Sequence, residues 1–334
     1  MRPGSFRLAG LFLLIGVLAA IAALSLTVGS RPVPFATVWA ALTGADSGST
    51  DAMIIWTLRL PRTLIGLTVG AALGLSGALL QGATRNPLAD PSILGIHAGA
   101  SVSIVTGITL FGITSAGVYI WLALAGAGLA MLLVYAIASI GREGPTPIKL
   151  ALAGAAITAA LMSVVSAVLL TSPVTLDQLR FWQVGSLAGR DLAVLTALAP
   201  FFALGTILAL GLGRVLDGLS MGDDVARGLG QHTGRGRAMA ALAAVLLAGA
   251  ATAAAGPIAF VGLTVPHIAR AITGPSYRWI LPYSMLLAPM LLLGSDIVGR
   301  IVAPPGEVQV GIVTAVIGAP FFIALIRRRK LAEL

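Results

Sequence analysis

The sequence runs to 334 residues, of which 57% are hydrophobic and only 10% charged, with a mean hydropathy of +0.99. A water-facing domain carries roughly 25% charged residues, so most of this surface must face lipid. Cysteine is absent, which excludes disulfides and thiolate metal sites, and no two of the histidines at 97, 232 and 267 stand at metal-ligand spacing.

In chain order, the basic start Met1–Arg7 and the apolar run to Val28 exceed the core of a signal peptide and predict a first membrane span over 8–28. Nine more stretches approach the ~20 apolar residues that cross a bilayer: 60–82, 93–111, 118–140, 149–170, 192–212, 238–255, 257–271, 280–300 and 308–326. The seventh and eighth are short and separated only by Gly256-Pro257, so one broken span is the alternative. Charge decides between the two. Ten spans with the N-terminus inside put fifteen of the twenty-one basic residues in cytoplasmic segments and six outside. Merging two spans would push the cluster Arg327–Lys330 to the outside, so ten is the better count and both termini are expected in the cytoplasm. The net charge of +9 therefore reads as loops facing anionic lipid, with no nucleic-acid partner. Trp56, Tyr119, Trp121, Trp182, Trp279 and Tyr283 fall near span ends, where interfacial aromatics belong. No long linker divides the chain, which reads as one membrane domain over 1–334, all α-helical.

Within the second span, Gly66, Gly70 and Gly74 recur every fourth residue and continue to Ala78 and Gly82. Such a stripe lets helices approach closely, which places this span centrally. Just before it lies Arg59-Leu-Pro-Arg62, and Arg300 follows Asp296 near the end of the ninth span. These arginines fall on the outside, against the charge bias. They either dock an acidic partner or reach for lipid headgroups. At the inner end of the second span, Arg85-Asn-Pro-Leu-Ala-Asp-Pro91 enforces a non-helical turn, either a gate or a plain tight turn. The loop 213–237 contains Met221–Gly230, which predicts a short helix: Asp223 and Asp224 suit its N-terminal dipole, Gly230 its C-terminal cap, and Val225 and Leu229 form one apolar stripe. Two turns are marginal alone in water, so this helix must pack on its own domain or on a partner, unless it is a solvated connector.

ATP chemistry is absent from this chain. A phosphate-binding loop needs Gly-x-x-x-x-Gly-Lys-Ser/Thr, and Lys149 and Lys330 are each followed by Leu. Every Asp and Glu maps to a loop or span end, which disfavours a proton-coupled carrier as the competing class.

Taken together, Leu58–Arg62, Arg85–Pro91 with Leu94-Gly95, Gly222–Gly230, Gly256–His267 and Gly311–Pro320 resemble the FecCD/BtuC-type permeases, the membrane subunits of ABC importers for iron-siderophores, haem and cobalamin. The segment Asp177–Leu187 looks most like ferric-enterobactin-type permeases. The resemblance implies an inner-membrane assembly of two permeases, similar or identical, with two cytoplasmic ATPase subunits that carry ATP and Mg2+, and an external substrate-binding protein. No cofactor is expected in this chain. By the same resemblance, Gly222, Asp223, Asp224, Val225, Ala226, Leu229 and Gly230 form a coupling helix that seats in the ATPase. Arg59, Arg62 and Arg300 meet acidic residues of the binding protein. Asn86 and Leu88 belong to the inner gate. Pro147 and Ile148 stand where a second gate segment would be, without the hydroxyl-rich pattern of the cobalamin permease. The fifth and tenth spans would line the pathway, and ferric siderophore is the first substrate expected, haem or cobalamin the second.

Overall fold

The computed structural model describes residues 4–329 other than 30, 47, 114, 142–145, 174, 175, 177, 178, 180, 181 and 305. Expectations on Arg2, Arg142, Arg180 and Lys330, and on much of the 177–187 segment, thus lie outside the described residues. Thirteen helices can be followed in full: α1 (Gly4–Thr27), α2 (Phe35–Leu42), α3 (Thr50–Thr84), α4 (Ile96–Phe111), α5 (Ala116–Ala138), α6 (Pro147–Thr171), α7 (Leu192–Gly211), α8 (Gly213–Ser220), α9 (Asp223–Gly228), α10 (Thr233–Ala255), α11 (Val261–Thr273), α12 (Tyr277–Val302) and α13 (Val310–Arg329). Seven of them, α1, α3, α5, α6, α7, α10 and α12, are long and apolar enough to cross a membrane, and α4 and α13 are shorter apolar helices. The chain is an all-α, multi-pass membrane protein.

The most thoroughly buried span is α3, and its glycines are the reason. A Cβ on Gly70 would stand 2.5 Å from the Pro289 backbone, and one on Gly74 would stand 2.5 Å from the Ser284 carbonyl. Both contacts are with α12, so the small-residue stripe is a packing seam that brings two backbones together. Gly77 does the same toward α11, where a Cβ would collide with the Gly262 carbonyl. Gln81 continues that contact by donating Nε2–H to the Leu263 carbonyl at 3.1 Å.

Of the expected spans, 93–111 is the shorter helix α4, and 257–271 differs most. The stretch 257–271 is not helical from its start: residues 257–259 carry no helix, Gly256 and Phe260 have φ of +76° and +69°, and the helix runs only from Val261 to Thr273. Thirteen residues rise about 20 Å, which covers only part of the ~30 Å of hydrocarbon, and the non-helical residues 256–260 add to that length. Gly256 and Pro257 end α10 and bar the next residues from a helix. The chain then re-enters as an extended segment, which is tolerated because it is enclosed by protein: Ile258 and Val261 are buried, and a Cβ on Gly256 would collide with the Trp182 carbonyl. Two of the aromatics expected at the interface are also core residues. Trp182 is buried, and buried Tyr283 donates its hydroxyl to the Arg7 carbonyl at 2.8 Å.

Candidate functional site

The bundle has two chemically different ends. Helix α3 joins them, with Arg59 and Arg62 near its start and Arg85 just past its finish.

At the Arg85 end, the 213–237 segment folds as two short helices. In α8, Leu216 and Leu219 are fully buried, and Asp217 accepts from the Tyr277 amide at 2.5 Å and the Ser276 hydroxyl at 3.0 Å, which ties the segment to the start of α12. After Gly222, at φ +110°, α9 spans Asp223–Gly228, shorter than expected but bounded as the sequence implies. Its C-terminus is a Schellman arrangement. Gly230, at φ +77°, donates to the Arg227 carbonyl at 2.9 Å, and Gln231 donates to the Ala226 carbonyl at 2.9 Å. The helix is anchored from behind. Ala226 is fully buried, and the Asp223 carboxylate pairs with Arg237 at 2.7 Å and with Arg85 at 3.6 Å. Arg237 also donates Nε–H to the Ala83 carbonyl at 3.2 Å. The opposite face carries Met221, Val225 and Leu229, respectively 66%, 47% and 64% exposed, and Asp224 reaches into solvent. Among the coupling residues expected from sequence, then, Asp223 and Ala226 hold the helix, Gly222 and Gly230 bound it, and Val225, Leu229 and Asp224 are presented outward.

The turn at the end of α3 lies beside this helix. Arg85 takes a left-handed conformation at φ +50°, and the Asn86 side chain accepts from the Leu88 amide at 2.9 Å, closing the turn. His267 on α11 donates Nε2–H to the Pro87 carbonyl at 2.7 Å. Asp90 then caps the turn Pro91–Leu94 by accepting from the Ser92 amide at 3.0 Å. Leu88 is partly exposed. Pro147 opens α6, Thr146 caps it, and Ile148 points outward, 73% exposed. Asn86, Ala89 and Leu150 line one small cavity of about 20 Å³, to which Leu88, Pro147 and Ile148 do not contribute.

At the other end, Arg59, Arg62 and Arg300 are all engaged within the chain. Arg59 and Arg300 are buried. Arg59 donates to the carbonyls of Leu26 (2.6 Å), Thr27 (2.7 Å) and Arg31. Arg300 donates to the carbonyls of Ser25 (2.7 Å) and Val28 (2.9 Å). These are the last carbonyls of α1 and its exit, which have no partner within their own helix, so the two guanidiniums cap it. Arg62 makes a bidentate pair with Asp296 at 3.0 and 2.7 Å and a further bond to Glu307 at 2.7 Å. Asp296, itself buried, also pairs with Arg300 one turn along α12. Local sequence places these groups. Pro61 cannot donate to the carbonyl four residues back, and α3 widens into a π-turn over Ile55–Arg59, which re-aims Arg59. Sequence reasoning missed the roles of Asp296, Glu307 and Ser25; the spacing of four between Asp296 and Arg300 is the signal that could have found the first.

Arg59, Arg62 and Arg300 line the floor of a cavity of about 440 Å³, together with Arg31, Arg190 and Glu307. Arg190 is the member that sequence reasoning left aside. Its Nε is buried without a hydrogen-bond partner, and burial pushes its guanidinium below the usual arginine range, opposed by neighbouring Asp191.

Comparison with known proteins gives the family. The model of the FecCD transport family matches residues 17–328. The chain is 47% identical to the ferric enterobactin transport system permease protein FepD of Escherichia coli (strain K12), over 96% of this chain and 94% of that one. It is 43% identical to the probable siderophore transport system permease protein YfiZ of Bacillus subtilis (strain 168), over 94% of each. Among solved structures, one described as an inward-facing conformation of a metal-chelate type ABC transporter superposes with a TM-score of 0.83 at 29% identity, covering 95% of this chain and 98% of the other. The chain belongs to the FecCD transport family.

Proposed function

We propose that this chain is the membrane-spanning permease subunit of an ATP-driven importer that carries a ferric siderophore across the cytoplasmic membrane. The substrate class rests on the relatives, which are permeases named for ferric enterobactin and siderophore transport. The geometric observation that carries the reading is α9. It is a helix too short to stand alone, fixed from behind by Asp223 and Ala226, and it offers Met221, Val225 and Leu229 to something outside the chain. In this reading the partner is an ATPase subunit that binds ATP and Mg2+, and the α9 end, with both termini, is cytoplasmic. Two such ATPases and a second permease complete the machine. The arginine-lined cavity at the other end receives an acidic surface of an external substrate-binding protein.

The pathway lies between the two permeases, along α6 and α13. In support, α6 turns a face of small and hydroxyl residues away from its own bundle, including Ala155, Ala159, Ser163 and Ser166. The two serines satisfy themselves on carbonyls of their own helix at 2.8 Å, so the wall offers little to bind a substrate tightly. Transport works by alternating access. The turn Asn86–Leu88, with Pro147 and Ile148, closes the inner end, and closure of the ATPases moves α9 and, through Asp223, the end of α3. ATP must favour one state over the other by differential contacts, since a ligand that binds both equally shifts nothing.

The test is Leu229→Asp in the full complex. A charge in the seat of α9 should cut ferric-siderophore uptake by at least about tenfold, because a buried unpaired carboxylate costs well over 1.4 kcal/mol. ATP hydrolysis by the partner should persist. Uptake at the wild-type rate would refute the role of α9.

A further inference from the structure

Helices α5 and α10 touch deep in the bundle and part toward the α9 end. At Gly249 of α10 an added Cβ would stand 3.2 Å from the Leu124 side chain of α5, so the two backbones are close there. One turn nearer the α9 end they separate around a cavity of about 340 Å³. Its walls are Gly128, Met131, Leu132 and Tyr135 of α5 and, on α10, Leu242 and Val245 with their neighbours. Each wall, Gly128 to Tyr135 and Ala238 to Val245, is about 10 Å long by the rise of a helix. Leu132 and Leu242, both exposed, flank the mouth, which opens sideways from the bundle. No charged side chain lines the cavity. Its one polar side-chain group, the Tyr135 hydroxyl, has no hydrogen-bond partner among the described residues.

Gly128 is what keeps the cleft open. Gly126, two residues earlier, is demanded by packing, since a Cβ there would collide with the Gly99 carbonyl of α4. At Gly128 a Cβ would meet nothing within 4 Å, and the backbone is ordinary helix. Glycine weakens a helix interior relative to alanine, and no contact within this chain repays it at this position. The α10 wall then ends in a cation. Arg235, Ala238, Leu242 and Val245 recur at spacings of three, four and three and so share one face of the helix. Arg235 is exposed and has no ion pair among the described residues. Arg237, its neighbour, is committed to Asp223 and the Ala83 carbonyl. An apolar slot that opens toward lipid, below an unneutralised guanidinium and beside a free hydroxyl, matches an acyl chain under a headgroup of net negative charge. We infer that the α5–α10 cleft holds one acyl chain of an anionic phospholipid from the leaflet on the α9 side, with the lipid phosphate on Arg235. The site needs only a bilayer around the chain, and it stands or falls independently of what α9 meets.

The experiment uses the full-length chain, with the subunits that copurify, in phosphatidylcholine nanodiscs. The probe is phosphatidylglycerol with a photoreactive diazirine on its acyl chain, and the labelled peptides are mapped by mass spectrometry. Residues 128–135 and 238–245 should be labelled more heavily than α1, the least buried span and hence a measure of ordinary lipid contact. Gly128→Leu, which fills the cleft without a clash, should cut that labelling by at least about fivefold while α1 is unchanged, as expected when the space of an occupant is overpacked. Val245→Phe, filling it from the other wall, should do the same, so that a defect peculiar to one variant does not decide the matter. A matching phosphatidylcholine probe should label the cleft about fivefold less than phosphatidylglycerol, and Arg235→Gln should abolish that preference without abolishing labelling. Cleft labelling no higher than on α1, or unmoved by both filling variants, overturns the site. Equal labelling of the wild type by the two probes overturns the anionic headgroup and with it the proposal. So does a cleft closed to both lipids and cross-linked to another polypeptide, which would make the occupant a protein.

Discussion

The two ends of the bundle manage polarity in opposite ways. At the α9 end, charges lie at the surface and apolar side chains are shown to the outside: Asp224 is solvated, while Val225 and Leu229 are exposed. At the arginine end, Asp296, Arg59 and Arg300 are buried, and their partners are the carbonyls that finish α1. The difference teaches what each end can tolerate. An exposed apolar face adds little to the stability of the isolated chain and much to an interface. A buried ion network adds specificity to the fold and becomes costly once one member is lost.

The sharpest way to break this contrast is Asp296→Asn, which leaves Arg62 and Arg300 without their shared anion. The loss should be on the order of 3–5 kcal/mol, read as a lower unfolding midpoint in detergent, and a change near zero would mean that the network is dispensable. Next comes Asp217→Ala at the other end, which orphans the Tyr277 amide at the start of α12. A loss of about 1–2 kcal/mol is expected by the same measurement. Smallest is Asp224→Ala, whose carboxylate is fully solvated. No measurable change in the midpoint is expected, and a clear drop would show that the surface pair with Arg227 matters more than its geometry suggests.

Sequence alone carried the positions of the long helices well, because lipid demands both length and apolarity. The short helix α9 was equally legible, since its caps, dipole residues and apolar stripe are all local features between Asp223 and Gly230. What could not be read was long-range. That α11 begins only at Val261 depends on how deep α10 has carried the chain, and Gly256-Pro257 signals a break without specifying where helix resumes. Likewise, nothing near Arg59 in sequence announces that its donors will meet Leu26 and Thr27, which are about thirty residues earlier. Arg190 escaped notice for a similar reason. An arginine in a loop looks ordinary until the bundle sets it among four others.

Past its π-turn, α3 runs as α-helix from Leu60 to Thr84, a rod of about 38 Å by the rise of an α-helix, gripped at its waist by α12 through Gly70 and Gly74. A stiff beam held at a central fulcrum swings its two tips in opposite senses. Arg62 rides one tip and Arg85, tethered to Asp223, ends the other. A tilt of a few degrees about the glycine seam would therefore register at both mouths of the protein at once, with no intermediate part that has to bend.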